Sequence, residues 1–387
     1  LGHQFTGGHT WNRCEETGGR SARGAFEPGS GTTIMSYGGV CGSDNVTNGT
    51  DTYYHTGSID EISAFNAQTG PTCGSWIETT NNIPVVELPY TDGFYIPIST
   101  PFELNGSAND PDPGDNAKLS YCWEQMDLGP ICPITAPQGS APLYRSFPPT
   151  TKSNRSFPQM LNVLSGFNTT RVEHTPTYTR DLTFRLTARD NRLNGGGVGY
   201  KEVAFQAFEG AGPFAVSVPN ASNVKWVEGD YVKIEWSVNN TNKPPVQCEK
   251  VNILLSTNAG NAYTTLLADT PNDGLEYVKV PDLPAAIYTA ARIRINAANN
   301  IFFDVNDRNF RIEASSAPNL SLSTSRDAAV LCLPDRFSAD IAATATNGLT
   351  GTAELSVVGN LPQGAVAKFN TNQLVPDQGT VRLEVDM

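Results

Sequence analysis

The residues with the clearest chemical potential lie at the start of the chain. His3 and His9 stand six positions apart in a stretch rich in glycine. Imidazole nitrogens are common zinc ligands, so two of them brought together could hold one metal ion. The spacing alone is weak evidence, because two histidines in a glycine-rich loop are usually surface residues. Met35 and Tyr37 follow, and the alternatives there are an ordinary core methionine and a packed structural tyrosine.

The first nine residues, Leu-Gly-His-Gln-Phe-Thr-Gly-Gly-His, resemble the end of the metzincin signature HExxHxxGxxH. The resemblance implies that His3 is the second zinc ligand and His9 the third. It also implies that the first His and the catalytic Glu precede Leu1, so that the chain is truncated at its N-terminus. Thr6 departs from the pattern, which has Gly there. We expect the sharp turn to fall one residue later, at Gly7, because glycine tolerates positive φ, and the alternative is that His9 misses the metal.

A second segment strengthens the resemblance. Residues 33–39, Thr-Ile-Met-Ser-Tyr-Gly-Gly, are similar to the Met-turn of metzincins, which places a methionine under the zinc ligands. Met35 would then be a hydrophobic base, and Tyr37 would ligate zinc or stabilise the oxyanion. We expect a disulfide between Cys14 and Cys41, which would tie the loop after the third histidine to the Met-turn. The segment looks closest to secreted bacterial reprolysin-like peptidases with Ig-like C-terminal domains.

One short helix is expected behind this site, over residues 58–65. Ser58 can cap the helix, and Glu61 lies three residues on, where it would complete a capping box. His55 precedes the helix. We expect it to be a polar surface residue, and the alternative is a residue that lines the substrate pocket.

From about residue 84 the sequence changes to short alternating runs separated by Gly, Pro, Asn and Asp, which predicts β-strands. The predicted strands cover residues 84–88, 102–104, 119–124, 182–189, 232–236, 251–255 and 291–295. Trp123 is expected to fill a β-sandwich core. The Pro/Ser/Thr-rich segment 129–180 is expected to be a long insertion or irregular loop.

Linkers at residues 210–213 and 314–318 divide the predicted fold, which is mainly β. Residues 1–82 would be the C-terminal part of an α+β metzincin catalytic domain. Three Ig-like β-sandwiches would follow: a cadherin-like one with a long insertion over 83–210, a second over 213–315, and the start of a third over 318–387.

An acidic loop over residues 109–115 could bind a second metal. Asp110, Asp112 and Asp115 alternate with proline and glycine, and carboxylate oxygens that converge can hold calcium. The alternative is an Asx and proline turn with solvated carboxylates.

Composition limits the compartment and the partners. A net charge of -13 argues against a nucleic-acid partner. The seven cysteines form no CxxC pair and fit disulfides in an oxidising compartment, and their odd number leaves at least one that is unpaired or paired with a partner outside this sequence. No apolar run is long enough to span a membrane. We therefore expect a secreted or cell-surface protein whose oligomeric state stays open.

The resemblance implies a zinc-dependent endopeptidase that cleaves extracellular proteins or peptides. Water activated by zinc would attack the peptide carbonyl, with the Glu before Leu1 as base. The 387-residue chain lacks that Glu and one ligand, so we expect it to bind zinc poorly and to be inactive. The rival hypothesis is a non-enzymatic adhesion or display protein with a degenerate peptidase remnant. Thr6 gives that rival some support.

Overall fold

The computed structural model describes residues 1–387 except 16–17, 70–71, 73, 75–76, 222, 285–286, 316–317, 327–335, 347–348, 359–360, 362–363 and 387. Contacts between Cα atoms divide the chain into two compact units. Unit 1 comprises Leu1–Phe214, Val238–Glu249 and Asn299–Asp304, and unit 2 comprises Ala215–Ser237, Lys250–Ala298 and Val305–Met387. Residues 1–82 and 83–210 therefore share one unit, and the division into four domains stays a prediction.

The fold is mainly β, as the sequence predicts. In the described part of the chain the α-helices are α1 (Thr56–Gln68) and α2 (Met160–Leu164), and short 3-10 helices cover Gly2–Phe5, Gly42–Asp44 and Asn116–Lys118. The strands of unit 1 are β1 (Val85–Glu87), β2 (Tyr95–Pro97), β3 (Phe102–Leu104), β4 (Ser107–Asn109), β5 (Ser120–Gln125), β6 (Arg155–Phe157), β7 (Arg180–Arg189) and β8 (Val198–Phe208). The later strands of the chain are β9 (Ala215–Val218), β10 (Lys225–Val227), β11 (Tyr231–Ser237), β12 (Lys250–Ser256), β13 (Thr264–Pro271), β14 (Leu275–Lys279), β15 (Ile287–Ala297), β16 (Phe303–Val305), β17 (Phe310–Glu313), β18 (Asn319–Thr324), β19 (Arg336–Thr346), β20 (Ala353–Glu354), β21 (Val366–Phe369), β22 (Gln373–Leu374) and β23 (Val381–Asp386).

A four-stranded sheet of order β2-β8-β7-β5 is the centre of unit 1. The pairs β5-β7 and β7-β8 are antiparallel, and β2 pairs with β8 in parallel. Alternate residues of β7 point to one face because side chains on a strand repeat every two positions. On that face Phe184 lies 4.6 Å from Phe157 and 5.6 Å from Phe102, measured between ring centroids. An aromatic core therefore covers the first face of the sheet.

The second face of the same sheet is also buried. Arg185 and Thr187 point to it, and they are only 6% and 0% exposed. Thr187 Oγ1 donates to Thr56 Oγ1 at 3.0 Å, and Arg185 Nη1 donates to Asp60 Oδ2 at 2.5 Å. The first turns of α1 thus pack on the sheet, which holds the N-terminal segment in place.

The predicted strands agree with the structure to within a few residues. The strand at 102–104 is found as β3, and the other six predicted strands correspond to β1, β5, β7, β11, β12 and β15. Trp123 is buried, as expected, and donates from Nε1 to the Ser153 carbonyl at 2.8 Å. Segment 129–180 is largely irregular outside β6 and α2. However, Tyr144 and Phe157 from this segment are fully buried, so it forms part of the core.

Unit 2 consists of further sheets whose strands pair mostly antiparallel. One sheet has the order β14-β11-β9, another contains the path β10-β17-β15-β12-β13, and a third has the order β18-β19-β23-β21. Within these sheets β10 and β17 pair in parallel. Alternate residues such as Ile234, Trp236, Ile293 and Ile295 are buried, which gives each strand one core-facing side. No helix in the described part of the chain is long and apolar enough to cross a membrane.

Candidate metal centre

The turn that follows His3 depends on Thr6. The 3-10 helix Gly2–Phe5 ends when Thr6 enters the left-handed region, with φ 64° and ψ 7°. Its N–H bonds the His3 carbonyl at 3.2 Å, and the Gly7 N–H bonds the Gly2 carbonyl at 3.0 Å. The expectation that the turn would move to Gly7 is wrong, because Thr6 itself adopts the conformation that usually favours glycine.

This turn brings the two histidines together. The ring centroids of His3 and His9 lie 4.7 Å apart in an edge-to-face arrangement. Each Nδ1 is held by a backbone carbonyl, that of Gly7 at 2.8 Å for His3 and that of Gly19 at 2.5 Å for His9. A carbonyl can only accept, so each Nδ1 carries the proton. In the neutral rings both Nε2 atoms therefore keep the lone pair that a metal requires.

Met35 lies beneath the same turn. Its side chain is 5% exposed and packs so close to Gly2 that a Cβ there would collide with the Met35 sulfur. A Cβ at Gly7 would stand 3.6 Å from Met35 Cε. The backbone is also fixed, because the Thr10 N–H bonds the Met35 carbonyl at 3.2 Å. Met35, His3 and His9 line one cavity of about 380 Å³.

Tyr37 lies beside His9 in the candidate metal centre. Its ring centroid lies 4.6 Å from that of His9 and 5.5 Å from that of Trp11. The predicted disulfide between Cys14 and Cys41 is confirmed, with a Cα–Cα distance of 4.8 Å. The two cysteines form a buried cluster with Trp11, and Tyr37 packs against it. The disulfide thus supports the aromatic residues that contact His9.

The donor set fits a zinc ion. Zinc in proteins is bound by neutral imidazole nitrogens in preference to hard oxygen cages, and the second nitrogen of such a ligand usually donates to a carbonyl or a carboxylate. His3 and His9 have both features. They would provide two ligands, and Tyr37 is placed beside them.

Helix α1 is anchored by a buried polar network and not by the predicted cap. The helix begins at Thr56, two residues before Ser58, and its N-cap is His55, whose Nδ1 accepts the Gly57 N–H at 3.1 Å. His55 is 1% exposed, so the expectation of a surface histidine is wrong. Its Nε2 faces Glu124 Oε1 at 3.8 Å.

Glu124 of β5 is the centre of this network. It is 0% exposed, and it accepts the Thr56 N–H at 3.0 Å and the Ser146 hydroxyl at 2.6 Å. Tyr53 donates to Ser146 at 2.6 Å, and burial raises the pKa of Tyr53 well above its usual value, which keeps this hydroxyl a donor. The carboxylate thus joins the start of α1 to the sheet.

Two carboxylates close to His9 were missed or misassigned from the sequence. Glu61 does not complete a capping box with Ser58. Instead its Oε2 accepts the Gly8 N–H at 2.7 Å. The sequence gives no signal for Glu27, whose buried carboxylate accepts from Thr10 Oγ1 at 2.5 Å. No periodic pattern predicts these contacts, because Glu27 and Thr10 are 17 positions apart in sequence and Glu61 and Gly8 are 53 positions apart.

The acidic loop brings its three carboxylates within 4.8 Å of one another. Basic and amide groups already engage two of them. Lys118 Nζ lies 2.6 Å from Asp115, and Asp112 accepts from Asn82 and lies 3.3 Å from Arg192. Asp110 is 3% exposed, and its Oδ1 accepts the Asp112 N–H at 2.8 Å. The calcium assignment therefore stays a prediction.

Comparisons with known proteins add little. No family model and no curated protein matches the chain. Similar solved structures include fibronectin(III)-like modules of Clostridium thermocellum CbhA (8% identity, 60% of this chain and 95% of that chain, TM-score 0.21). The N-terminal four Ig domains of Dscam1 isoform 6.44 (10% identity, 78% and 70%, TM-score 0.21) and Protocadherin Gamma B7 cadherin domains 1-4 (13% identity, 79% and 68%, TM-score 0.18) also match. Scores this low carry no argument, so the Ig-like assignment stays a prediction.

Proposed function

We propose that this chain carries the second and third zinc ligands and the Met-turn of a metzincin-type zinc endopeptidase that cleaves extracellular proteins or peptides. One observation carries the proposal. His3 and His9 lie with ring centroids 4.7 Å apart over Met35, and each ring is held through Nδ1 so that Nε2 is available to a metal. The first ligand and the general base would precede Leu1 in a longer parent protein.

The roles of the chain's own residues follow from their positions. His3 and His9 would hold zinc through Nε2, and Met35 would fill the space beneath the turn that carries them. Zinc, when bound, would polarise a water molecule and the peptide carbonyl. Tyr37 lies against His9, where its hydroxyl can donate to an oxyanion that develops on the substrate.

An extracellular location is part of the proposal. The Cys14–Cys41 disulfide supports an oxidising compartment, since disulfides are rare in the cytosol. The acidic charge of -13 agrees with a protein or peptide substrate and not a nucleic acid.

The test uses the parent protein extended upstream of Leu1. We expect one zinc per chain and cleavage of casein. His3→Ala and His9→Ala should lose both zinc and cleavage, whereas His174→Ala should keep both, because His174 bonds the Arg171 carbonyl and does not line the cavity. A parent protein without zinc, or cleavage that survives His3→Ala, would contradict the proposal.

Tyr37→Phe gives a finer test. If Tyr37 stabilises an oxyanion, kcat should fall about 100-fold while zinc content and KM stay near those of the parent. An unchanged kcat would leave Tyr37 a packing residue. The rival hypothesis, an adhesion or display protein, would be favoured if the parent protein binds no zinc and shows no peptidase activity.

A further inference from the structure

His9 is held from both sides by carboxylates that come from different parts of unit 1. The residue before it, Gly8, donates its N–H to Glu61 Oε2 at 2.7 Å. The residue after it, Thr10, donates its hydroxyl to Glu27 Oε2 at 2.5 Å. Glu61 belongs to helix α1, whereas Glu27 lies in the loop before the Met-turn. The backbone around His9 is therefore fixed to two separate elements.

Glu27 also connects His9 to the Met-turn. The carboxylate is buried, with 1% exposure, and its Oε1 accepts the N–H of Thr32 at 2.8 Å. Its Oε2 accepts the Thr33 hydroxyl at 2.6 Å, two residues before Met35. The Glu27 carboxylate thus sets the distance between the backbone segment that carries His9 and the segment that carries Met35.

Glycine at position 31 makes this arrangement possible. Gly31 has φ 65°, and a Cβ there would stand 3.0 Å from Glu27 Oε2 and 2.7 Å from Ser36 Cβ. The loop can wrap around the carboxylate only because that space is empty. Several donors then converge on Glu27, which is how a buried carboxylate is stabilised when no cation touches it.

We propose that Glu27 and Glu61 are positioning residues that fix His9 for metal binding and add negative charge near the metal. The inference rests on the proposed function, because it assigns a task to residues around the same centre. Residues that orient a metal ligand typically change metal affinity by about 10- to 100-fold when they are replaced. Negative charge near the site also favours binding of a divalent cation when the site is partly buried.

Three substitutions separate the effect of the hydrogen bonds that Glu27 and Glu61 accept from the effect of their negative charge. Glu61→Gln keeps an acceptor for the Gly8 N–H and removes only the charge, whereas Glu61→Ala removes both. Glu27→Gln is isosteric, but its amide has only one acceptor oxygen for the donors of Thr10, Thr32 and Thr33, so part of this hydrogen bonding is lost together with the charge. Glu173→Gln is the matched control, because Glu173 is also 1% exposed and accepts from Arg155 at 2.9 Å away from the cavity.

The measurement is zinc affinity of the parent protein by competition with a chromophoric chelator, with the cobalt absorption spectrum as a second readout. We expect Glu61→Ala and Glu27→Gln to weaken zinc by about 10-fold or more and to change the cobalt spectrum, and Glu61→Gln to weaken it less. Glu173→Gln should leave both readouts unchanged. Hydrogen exchange of residues 1–13 without metal should be faster in Glu61→Ala and Glu27→Gln.

The outcomes distinguish this inference from the proposed function. If the unaltered parent binds no zinc, the proposed function fails. If it binds zinc and Glu61→Ala and Glu27→Gln bind equally well, the proposed function stands and the positioning role is overturned. The same follows if Glu173→Gln weakens zinc as much as Glu27→Gln, since the effect would then reflect a general loss of stability.

Discussion

Removing the Cys14–Cys41 disulfide should loosen the candidate metal centre without affecting unit 2. The bond lies in a buried cluster with Trp11, and Tyr37 packs on that cluster beside His9. Replacing both cysteines with alanine removes the link and leaves no free thiol at these two positions. We therefore expect a local effect on the loop that the bond closes.

The magnitude follows from the length of that loop. The two cysteines are 27 positions apart. The chain-entropy relation for a closed loop of this length gives about 3.5 kcal/mol at 25 °C. If the loop opens locally in the native state, its opening equilibrium should increase roughly 300-fold, since about 1.4 kcal/mol corresponds to a factor of ten.

Hydrogen exchange measured by mass spectrometry can test this value. Peptides from residues 9–44 should exchange roughly 300-fold faster in the double variant, while peptides from Ile287–Ala297 in unit 2 should be unchanged and serve as the internal control. An increase of less than about 10-fold would refute the reasoning, because the fold would then hold this loop without the bond. A similar increase in unit 2 would show that the effect is global.

Three further predictions concern other features of the fold. Thr6→Gly should raise the free energy of unfolding by about 0.5–1 kcal/mol, because the strain of a left-handed threonine is larger than the entropy that glycine loses on folding. The control Thr151→Gly, at an exposed site with ordinary φ, should lower it, and thermal unfolding measures both. Burial raises the pKa of the Asp127 carboxyl to about 6. The protonated carboxyl therefore stabilises the folded state by about 3 kcal/mol below pH 4, and this stabilisation is lost as the pH rises through 6. Urea unfolding between pH 4 and 7 should show this loss, and Asp127→Asn should flatten it. Terbium luminescence should report only weak binding at the acidic loop 109–115, with Kd of about 10⁻⁴ M or higher, because basic side chains already pair with it, and Asp110→Asn should abolish the signal.

The sequence predicts those parts of the fold that depend on local patterning. β3 and β7 were found because alternation and flanking turn residues mark a half-buried strand. Glu124 of β5 could not be found in this way, since alternation predicts one buried face and this sheet has two. The packing of α1 and of Ser146 on the second face explains why a charged residue is 0% exposed there.

The candidate site was predictable where a motif fixes both residue type and spacing. His3, His9, Met35 and Tyr37 follow such a motif, and the structure brings them together. The turn was expected at Gly7 because the motif has glycine where this chain has Thr6, but hydrogen bonds of the surrounding turn hold Thr6 itself in the left-handed conformation.

The residues around the motif carry no such signal. Glu61 has the spacing of a capping box, yet its carboxylate reaches a backbone N–H that is 53 positions away in sequence. The residues next to His55 in sequence give no signal that its side chain is buried. Its environment comes from β5, which follows more than sixty residues later.

The burial of Glu124 has a consequence for how such proteins can be recombined. The N–H of Thr56 and the hydroxyl of Ser146 both depend on that one carboxylate. A gene fusion that replaced residues 83–210 with an unrelated β domain would remove Glu124, the acceptor for the first turn of α1. It would also expose the face of α1 that packs on the sheet. Residues 1–82 and 83–210 should therefore be moved together, and crossover points between them should yield chains that fail to fold.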